Sequence, residues 1–466
     1  VATARSIRIQ PMNNAYPRQR TVPQTGPLTP VETTIPIDSF SPPLRATLQE
    51  ARTIEETGLP QDFLLALALK ILYMNSVMKG WQVAQAMRLN FSGVVEPLLQ
   101  ELKFQYYVEV TGGDHTNRAS YRYNITAKGS QYARELLERD RYSGPCPVSL
   151  KNYIEVIKLQ AQSRATVTRT DVQYAMQGLI LSEELLDRIG PAVNSFKSVF
   201  IYGPPGNGKT SIARAIAHRL LTDIIMVPHA IFEGGHVIKV FDLEVHPVIG
   251  SEQTQLAETN GLDKRWVCCN APIVITGGEL TLRDLDLVWS DSNRYYEAPV
   301  QLKANGGLLL IDDFGRQQVE PRELLNRWIV PLEERLDYLT LHTGKKFAVP
   351  FETLIVFSTN LNPEELVDEA FLRRIRHKMH IKNPTEQEYY QIFLIACRER
   401  NIEFDKETFI HLLREYYRKP HRDLKSCHPR DLLDQILDFA FYHGESPHLS
   451  VKMIDRAARS YFGELL

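Results

Sequence analysis

One stretch, Ser198 to Leu221, constrains the fold of this chain more than any other: SVFIYGPPGNGKTSIARAIAHRLL. Four residues (Val199, Phe200, Ile201, Tyr202) read as a buried strand, and the segment after Thr210 reads as an amphipathic helix. Between them lie glycines at 203, 206 and 208 and prolines at 204 and 205, closing on Lys209 and Thr210. That G-x-x-x-x-G-K-[ST] spacing is a P-loop. Its glycines let backbone N–H groups wrap an anion at a helix N-terminus, where unsatisfied donors and the helix dipole favour phosphate. Gly203, Pro204, Pro205, Gly206, Asn207, Gly208, Lys209, Thr210 and Ser211 are therefore expected to cradle ATP. Lys209 should reach the β- and γ-phosphates, and the Thr210 hydroxyl should ligate Mg²⁺.

A chain of 466 residues is too long for one hydrophobic core, so about two to four domains are expected. A net charge of −2 gives no global attraction to nucleic acid or anionic lipid, and any such binding must be local. The longest apolar run, Phe63 to Met74, is broken by Lys70 and is too short to span a bilayer; no membrane insertion is expected. The five cysteines (146, 268, 269, 397, 427) are scattered without C-x-x-C spacing, which argues against a disulfide framework and a zinc site. Cys268 and Cys269 read as strand residues. A reducing compartment follows, most simply the cytoplasm.

Residues 1–45 carry eight prolines, among them Pro11, Pro17, Pro42 and Pro43, and little apolar periodicity. Such a segment cannot bury enough surface to offset its ordering entropy and should form an extended tail that docks on another subunit or partner. Residues 46–143 read as a compact α+β domain. Three helices (Phe63–Met74, Gly80–Met87, Ser92–Lys103) precede a change of period from 3.6 to 2. Tyr106, Val108 and Val110 alternate, residues 112–117 turn, and Tyr121, Tyr123 and Ile125 alternate back, which describes a hairpin. Thr126 can cap a closing helix through Arg139. Three helices and a two-stranded wing resemble a winged-helix domain, whose usual work is reading DNA. The helix that would enter the groove carries only Lys103 against Glu96 and Glu101, too little positive charge for phosphate contacts. Protein docking is favoured over nucleic acid. Residues 144–165, punctuated by Pro145 and Pro147, read as a linker, with a helical connector from Tyr153 to Ala161.

Downstream, residues 307–313 read GLLLIDD, an apolar parallel-sheet strand ending in two carboxylates. Acids at that end emerge where open α/β sheets bind ligands. Asp312 is expected to hold Mg²⁺ and Asp313 to orient the attacking water. A second apolar strand, Thr353–Ser358, ends near Asn360, whose amide can hold water beside the γ-phosphate. Arg373 and Arg374 follow at the end of a short helix, Thr385 and Glu388 are spaced as a capping box, and Arg430 begins an amphipathic helix. Leu179, Ile180 and Leu181 are candidates for an adenine wall or for plain core.

From about residue 166 onward these markers stand in the order of an AAA+ ATPase, which the chain resembles. Gly203–Thr210 is similar to Walker A, Leu308–Asp313 to Walker B, Asn360 to sensor 1, Arg373 or Arg374 to the arginine finger, and Arg430 to the sensor 2 arginine. The resemblance implies a five-stranded parallel sheet in residues 166–384, a helical lid in 385–466, and a homo-oligomeric ring, usually hexameric, with ATP at subunit interfaces. Many relatives end Walker B in Asp-Glu, whereas this chain has Asp312-Asp313, as bacterial replication initiators of the same superfamily do. The shorter side chain implies slow hydrolysis.

Two stretches bear on the branch. The segment from Leu336 to Thr353 alternates around HTGKK as a β-hairpin should, and it resembles the hairpin that MoxR-like AAA+ proteins carry before sensor 1. Lys345 and Lys346 at its tip would face a central pore or simply solvent. Residues 229–305 are a long connection with strand-like alternation, expected to form an inserted sheet. Within them Phe232 falls where the family places a substrate-gripping pore aromatic, or else in the insertion's own core. The favoured function is ATP-driven remodelling of a protein client. The alternatives are a DNA-acting loader or initiator and a nucleotide-gated scaffold.

Overall fold

The computed structural model describes residues 40–113, 117–250, 261–366 and 372–463. The proline-rich stretch up to residue 39 lies outside them. The end of the expected tail is ordered structure: Pro42–Thr47 is a helix, and Phe40, Leu44 and Leu48 are buried with it. No helix of the described residues is long and apolar enough to cross a membrane.

The central sheet has five strands: β1 (Ser198–Tyr202), β2 (Ile273–Thr276), β3 (Leu308–Ile311), β4 (Leu354–Thr359) and β5 (His377–His380). Their spatial order is β2-β3-β4-β1-β5, and every pairing is parallel. Strands β3 and β4 are buried along their whole length, because helices cover both faces of the sheet; this is why they read as unbroken apolar runs. Alternate residues serve alternate faces. Val199, Ile201, Leu308, Leu310 and Val356 pack with Ile212 and Ile216 of the P-loop helix, while Phe200, Leu309, Ile311 and Phe357 pack with Leu324 and Trp328.

The long connection holds both a second β layer and part of the main sheet. Ile224–Pro228 pairs antiparallel with Trp266–Asn270, which contains Cys268 and Cys269. A separate five-stranded sheet runs in the order Val288–Ser290, Tyr295–Glu297, His236–Lys239, Ala230–Glu233, Val148–Ser149. Residues 229–305 are therefore not all insertion, since β2 lies within them and joins the central sheet. Nor is 144–165 a spacer. Val148–Ser149 is an edge strand, and the helix Leu150–Gln162 buries Tyr153, Val156 and Ile157 against Ile225, Trp266 and Cys268. The apolar i, i+3, i+4 face of that helix needs a partner, and the inserted layer provides one. The hairpin Leu336–Thr340/Lys346–Pro350 adds Leu339, Phe347 and Val349 to the same core.

The N-terminal module follows the order helix (Gln61–Asn75), strand (Val77–Lys79), helix (Gly80–Met87), helix (Glu96–Phe104), then strands Val108–Gly112 and Arg122–Ile125. A π-helical turn, Phe91–Val95, leads into Glu96–Phe104. The sheet has three strands where the sequence suggests two. Val77–Lys79 pairs with Arg122–Ile125, and three residues are too few to display a period. Thr126 caps Ala127–Arg139 by accepting the Gly129 N–H at 3.0 Å.

A buried ion pair joins these layers. Arg265, 3% exposed, donates Nη2 to Asp263 at 2.7 Å and Nη1 to the carbonyls of Thr57 (3.0 Å) and Pro147 (3.2 Å). Arg265→Ala would leave the Asp263 carboxylate, 4% exposed, without its cation. Removing one partner of a buried pair typically costs about 3–5 kcal/mol. The first urea transition of the full chain should move to lower denaturant accordingly, as followed by circular dichroism, and an unmoved midpoint would refute this role.

The C-terminal region consists of helices Glu386–Glu399, Lys406–Leu412 with its continuation Leu413–Arg418, His428–His443 and Val451–Phe462. Tyr389, Phe393, Leu412, Leu432, Ile436 and Ile454 form its core. The Thr385–Glu388 capping box is present.

Candidate functional site

The carboxyl ends of β1, β3 and β4 converge on one cleft of about 430 Å³. The P-loop leaves β1 and enters the helix Lys209–Arg219, with Gly203, Gly206 and Gly208 all at positive φ. A β-carbon at Gly203 would lie 2.1 Å from the Ile381 carbonyl oxygen, and one at Gly206 would lie 2.6 Å from Cys427 Sγ. Glycine at both points lets the loop pack this closely on Ile381 and Cys427 at positive φ.

Lys209 is 6% exposed. Its Nζ donates to the carbonyls of Gly203 and Pro204, both at 2.9 Å, and to Asn360 Oδ1 at 2.6 Å. Burial pulls its pKa below the usual lysine value, and the Asp313 and Asp312 carboxylates oppose that. Asn360 in turn donates Nδ2 to Asp313 Oδ1 at 3.2 Å, which links amide, lysine and carboxylate. Asp313 sits at φ 50, a left-handed conformation unusual for a residue with a side chain. The Phe314 N–H to Ser358 carbonyl bond at 2.7 Å and Gln317, which donates to the carbonyls of Asp312 and Asp313, hold the turn.

Thr210 Oγ1 donates to Asp312 Oδ2 at 2.9 Å and to Oδ1 at 3.2 Å. A hydroxyl beside a carboxylate is an oxygen donor set that suits a hard divalent cation such as Mg²⁺. Among the described residues no cluster of three or more His, Cys, Asp or Glu offers an all-protein metal cage. A cation held here would thus take part of its coordination from water or phosphate.

Leu179, Ile180 and Leu181 line the cleft together with Pro205 and Ser211. The C-terminal region closes the opposite side through Ile392, Ile395, Ala396, Glu399 and the loop at Ser426–Cys427. None of the latter is singled out by a motif. The first four nonetheless stand at i, i+3, i+4 and i+7 of one helix, a second stripe beside the core stripe Tyr389, Phe393 and Cys397, and that spacing was the available signal.

Arg430 lines the cleft but is 63% exposed and bonds its neighbour Asp431, with Nε–Oδ1 at 3.1 Å. Arg373 and Arg374 do not line the cleft of their own chain. Arg374 donates to Glu333 of the helix Pro321–Glu334 at 2.6 Å, and Arg373 is exposed. Most of the short helix expected before them lies outside the described residues. Phe232 is no free pore aromatic: it lies in the strand Ala230–Glu233 and packs on Phe63 of the N-terminal module, ring centroids 4.4 Å apart. Lys345 likewise pairs with Glu233 at 2.6 Å. Both contacts follow from the inserted sheet lying directly beneath the hairpin and the module.

Residues 199–259 match the ATPase family associated with various cellular activities (AAA). Residues 385–460, the C-terminal helical region, match a domain of unknown function, DUF8689. No curated protein matches the chain. Among solved structures, NtrX from Brucella abortus is similar at 13% identity and a TM-score of 0.37, over 69% of this chain and 60% of that one. A point mutant of RuvB from Thermotoga maritima is similar at 14% identity and a TM-score of 0.35, over 60% of this chain and 69% of that one. The chain thus spans less than two thirds of the NtrX chain it matches. The parallel five-stranded sheet with flanking helices, with a P-loop after β1 and an AAA match that begins in that strand, fits the α/β fold of P-loop AAA+ proteins.

Proposed function

We propose that this chain is an ATP hydrolase of AAA+ type that assembles into a ring, hexameric by family habit, and couples the hydrolysis cycle to remodelling a protein partner. The observation that carries the reading is the joined network Lys209–Asn360–Asp313 beside Thr210–Asp312, with Arg430 on the facing wall. Bound ATP with Mg²⁺ would supply the phosphoryl bond to be cleaved and the metal that neutralises its charge. The chain's own residues do the rest. The P-loop amides and Lys209 bind and orient the phosphates, Thr210 and Asp312 present oxygens for the metal, and Asp313 and Asn360 orient the attacking water. The carboxylate of Asp313 is one methylene shorter than a glutamate and makes turnover slow. We assign 166–384 to the nucleotide-binding domain, 385–466 to the lid and 46–143 to a winged-helix-like docking domain, in a MoxR-like branch and a cytoplasmic setting.

The module's helix–strand–helix–helix–strand–strand order supports a second reading, that of a DNA-acting loader. Its charge does not. Arg118, one of the few cations near the wing, already pairs with Glu96 at 2.8 Å, leaving few free phosphate contacts. Binding built on so few loses most of its strength as salt rises to about 200 mM. The two readings separate in one capture experiment: full-length Asp313→Asn, trapped with ATP, should retain proteins and no nucleic acid at that ionic strength. Duplex DNA retained there would overturn protein remodelling in favour of the loader.

A further inference from the structure

The lid's buried core is its own: the residues that form it run from Tyr389 to Ala458. Its seating on the nucleotide-binding domain therefore depends on contacts around the cleft, and one side chain of the P-loop makes two of them. Asn207 is 4% exposed. Its Nδ2 donates to Asn383 Oδ1 at 2.7 Å, in the strap between β5 and the lid, and its Oδ1 accepts the Ser426 N–H at 3.1 Å, in the loop that starts the Arg430 helix. Beside it the Cys427 N–H donates to the Gly206 carbonyl at 2.9 Å. None of these bonds uses a backbone N–H of the P-loop, so the latch and a phosphate do not compete for those donors.

We infer that Asn207 is a positioning residue that latches the lid loop onto the phosphate-binding loop, and that this latch governs how long nucleotide stays bound. The inference rests on the nucleotide reading above for its second half only. A carboxamide is what the position needs, since it donates and accepts at once. Aspartate would lose the donor and place an anion beside the phosphates, and serine is too short to reach both partners. Because Ser426, Cys427 and Arg430 all wall the cleft, releasing the loop opens the site on that side. It also moves Arg430, four residues beyond the Ser426 bond.

The test uses the full chain. In Asn207→Ala, amide exchange at Ser426, measured by mass spectrometry without nucleotide, should quicken roughly three- to tenfold, the factor that corresponds to losing one net hydrogen bond. Exchange within the helices Glu386–Glu399 and Val451–Phe462 should stay unchanged. Release of a fluorescent ATP analogue should quicken by a similar factor. Asn383→Ala, outside the P-loop, should loosen the same amide, and Asn383→Asp, which keeps the accepting oxygen, should restore its protection. Wild-type exchange at Ser426 in both alanine variants would overturn the latch. Wild-type release alongside faster exchange would overturn its control of nucleotide. Failure of the nucleotide reading looks different: Lys209→Ala would then bind the analogue as the wild type does, while exchange at Ser426 would still report on the latch.

Discussion

Lys209→Ala is expected to lower ATP turnover by about 10²- to 10³-fold or more, by analogy with deleting one preorganised electrostatic donor. The size follows from what surrounds the ammonium. It is buried, it is the cation bonded within the P-loop, and it is held by two loop carbonyls and by Asn360 Oδ1. That geometry holds the charge inside the loop, and an arriving phosphate has only to replace one of these three acceptors. Alanine removes the charge and takes from the Asn360 side chain one of its two bonds, leaving the one to Asp313. The measurement is steady-state phosphate release by purified full-length protein, with circular dichroism to confirm that the variant is folded. Turnover at the wild-type rate would remove the central claim, because no other part of the cleft supplies a cation from within the loop.

Removing Arg373 and Arg374 together is expected to cost roughly 10³- to 10⁵-fold in turnover, the contribution of an arginine supplied in trans to a phosphoryl-transfer transition state. Neither side chain lines its own cleft, so the proposed role in hydrolysis requires a neighbour's site. Arg374 is engaged with Glu333 in a pair whose side chains are 27% and 49% exposed. That pair by itself contributes only about 0–1 kcal/mol. The decisive measurement mixes two inactive subunits. An Arg373→Ala/Arg374→Ala chain keeps its P-loop, a Lys209→Ala chain keeps its arginines, and together they should regain phosphate release. If the arginine variant turns over ATP normally by itself, the finger is wrong, and the strongest reason to expect a ring goes with it.

What could be read directly from the chain is local. The P-loop, the apolar run ending in Asp312-Asp313, the Thr126 cap and the Thr385–Glu388 box each lie within a few residues, and each was set by backbone needs that residue type satisfies without reference to the rest of the fold. Strands β1, β3 and β4 were legible because strands buried on both faces show as apolar runs, whereas the five-stranded parallel sheet was implied by the family resemblance. Placement was not legible. Trp266–Asn270 and Ile273–Thr276 are neighbouring apolar runs, yet one joins an antiparallel ribbon and the other the central sheet, since an apolar run shows that a strand is buried and not beside which partner. Phe232 and Lys345 carry the residue types of pore contacts but are engaged with Phe63 and Glu233. The bond between Ser426 and Asn207 spans 219 positions. Strand partners and polar latches at such separations are chosen by which surfaces close packing brings together, and a one-dimensional pattern carries no trace of that choice.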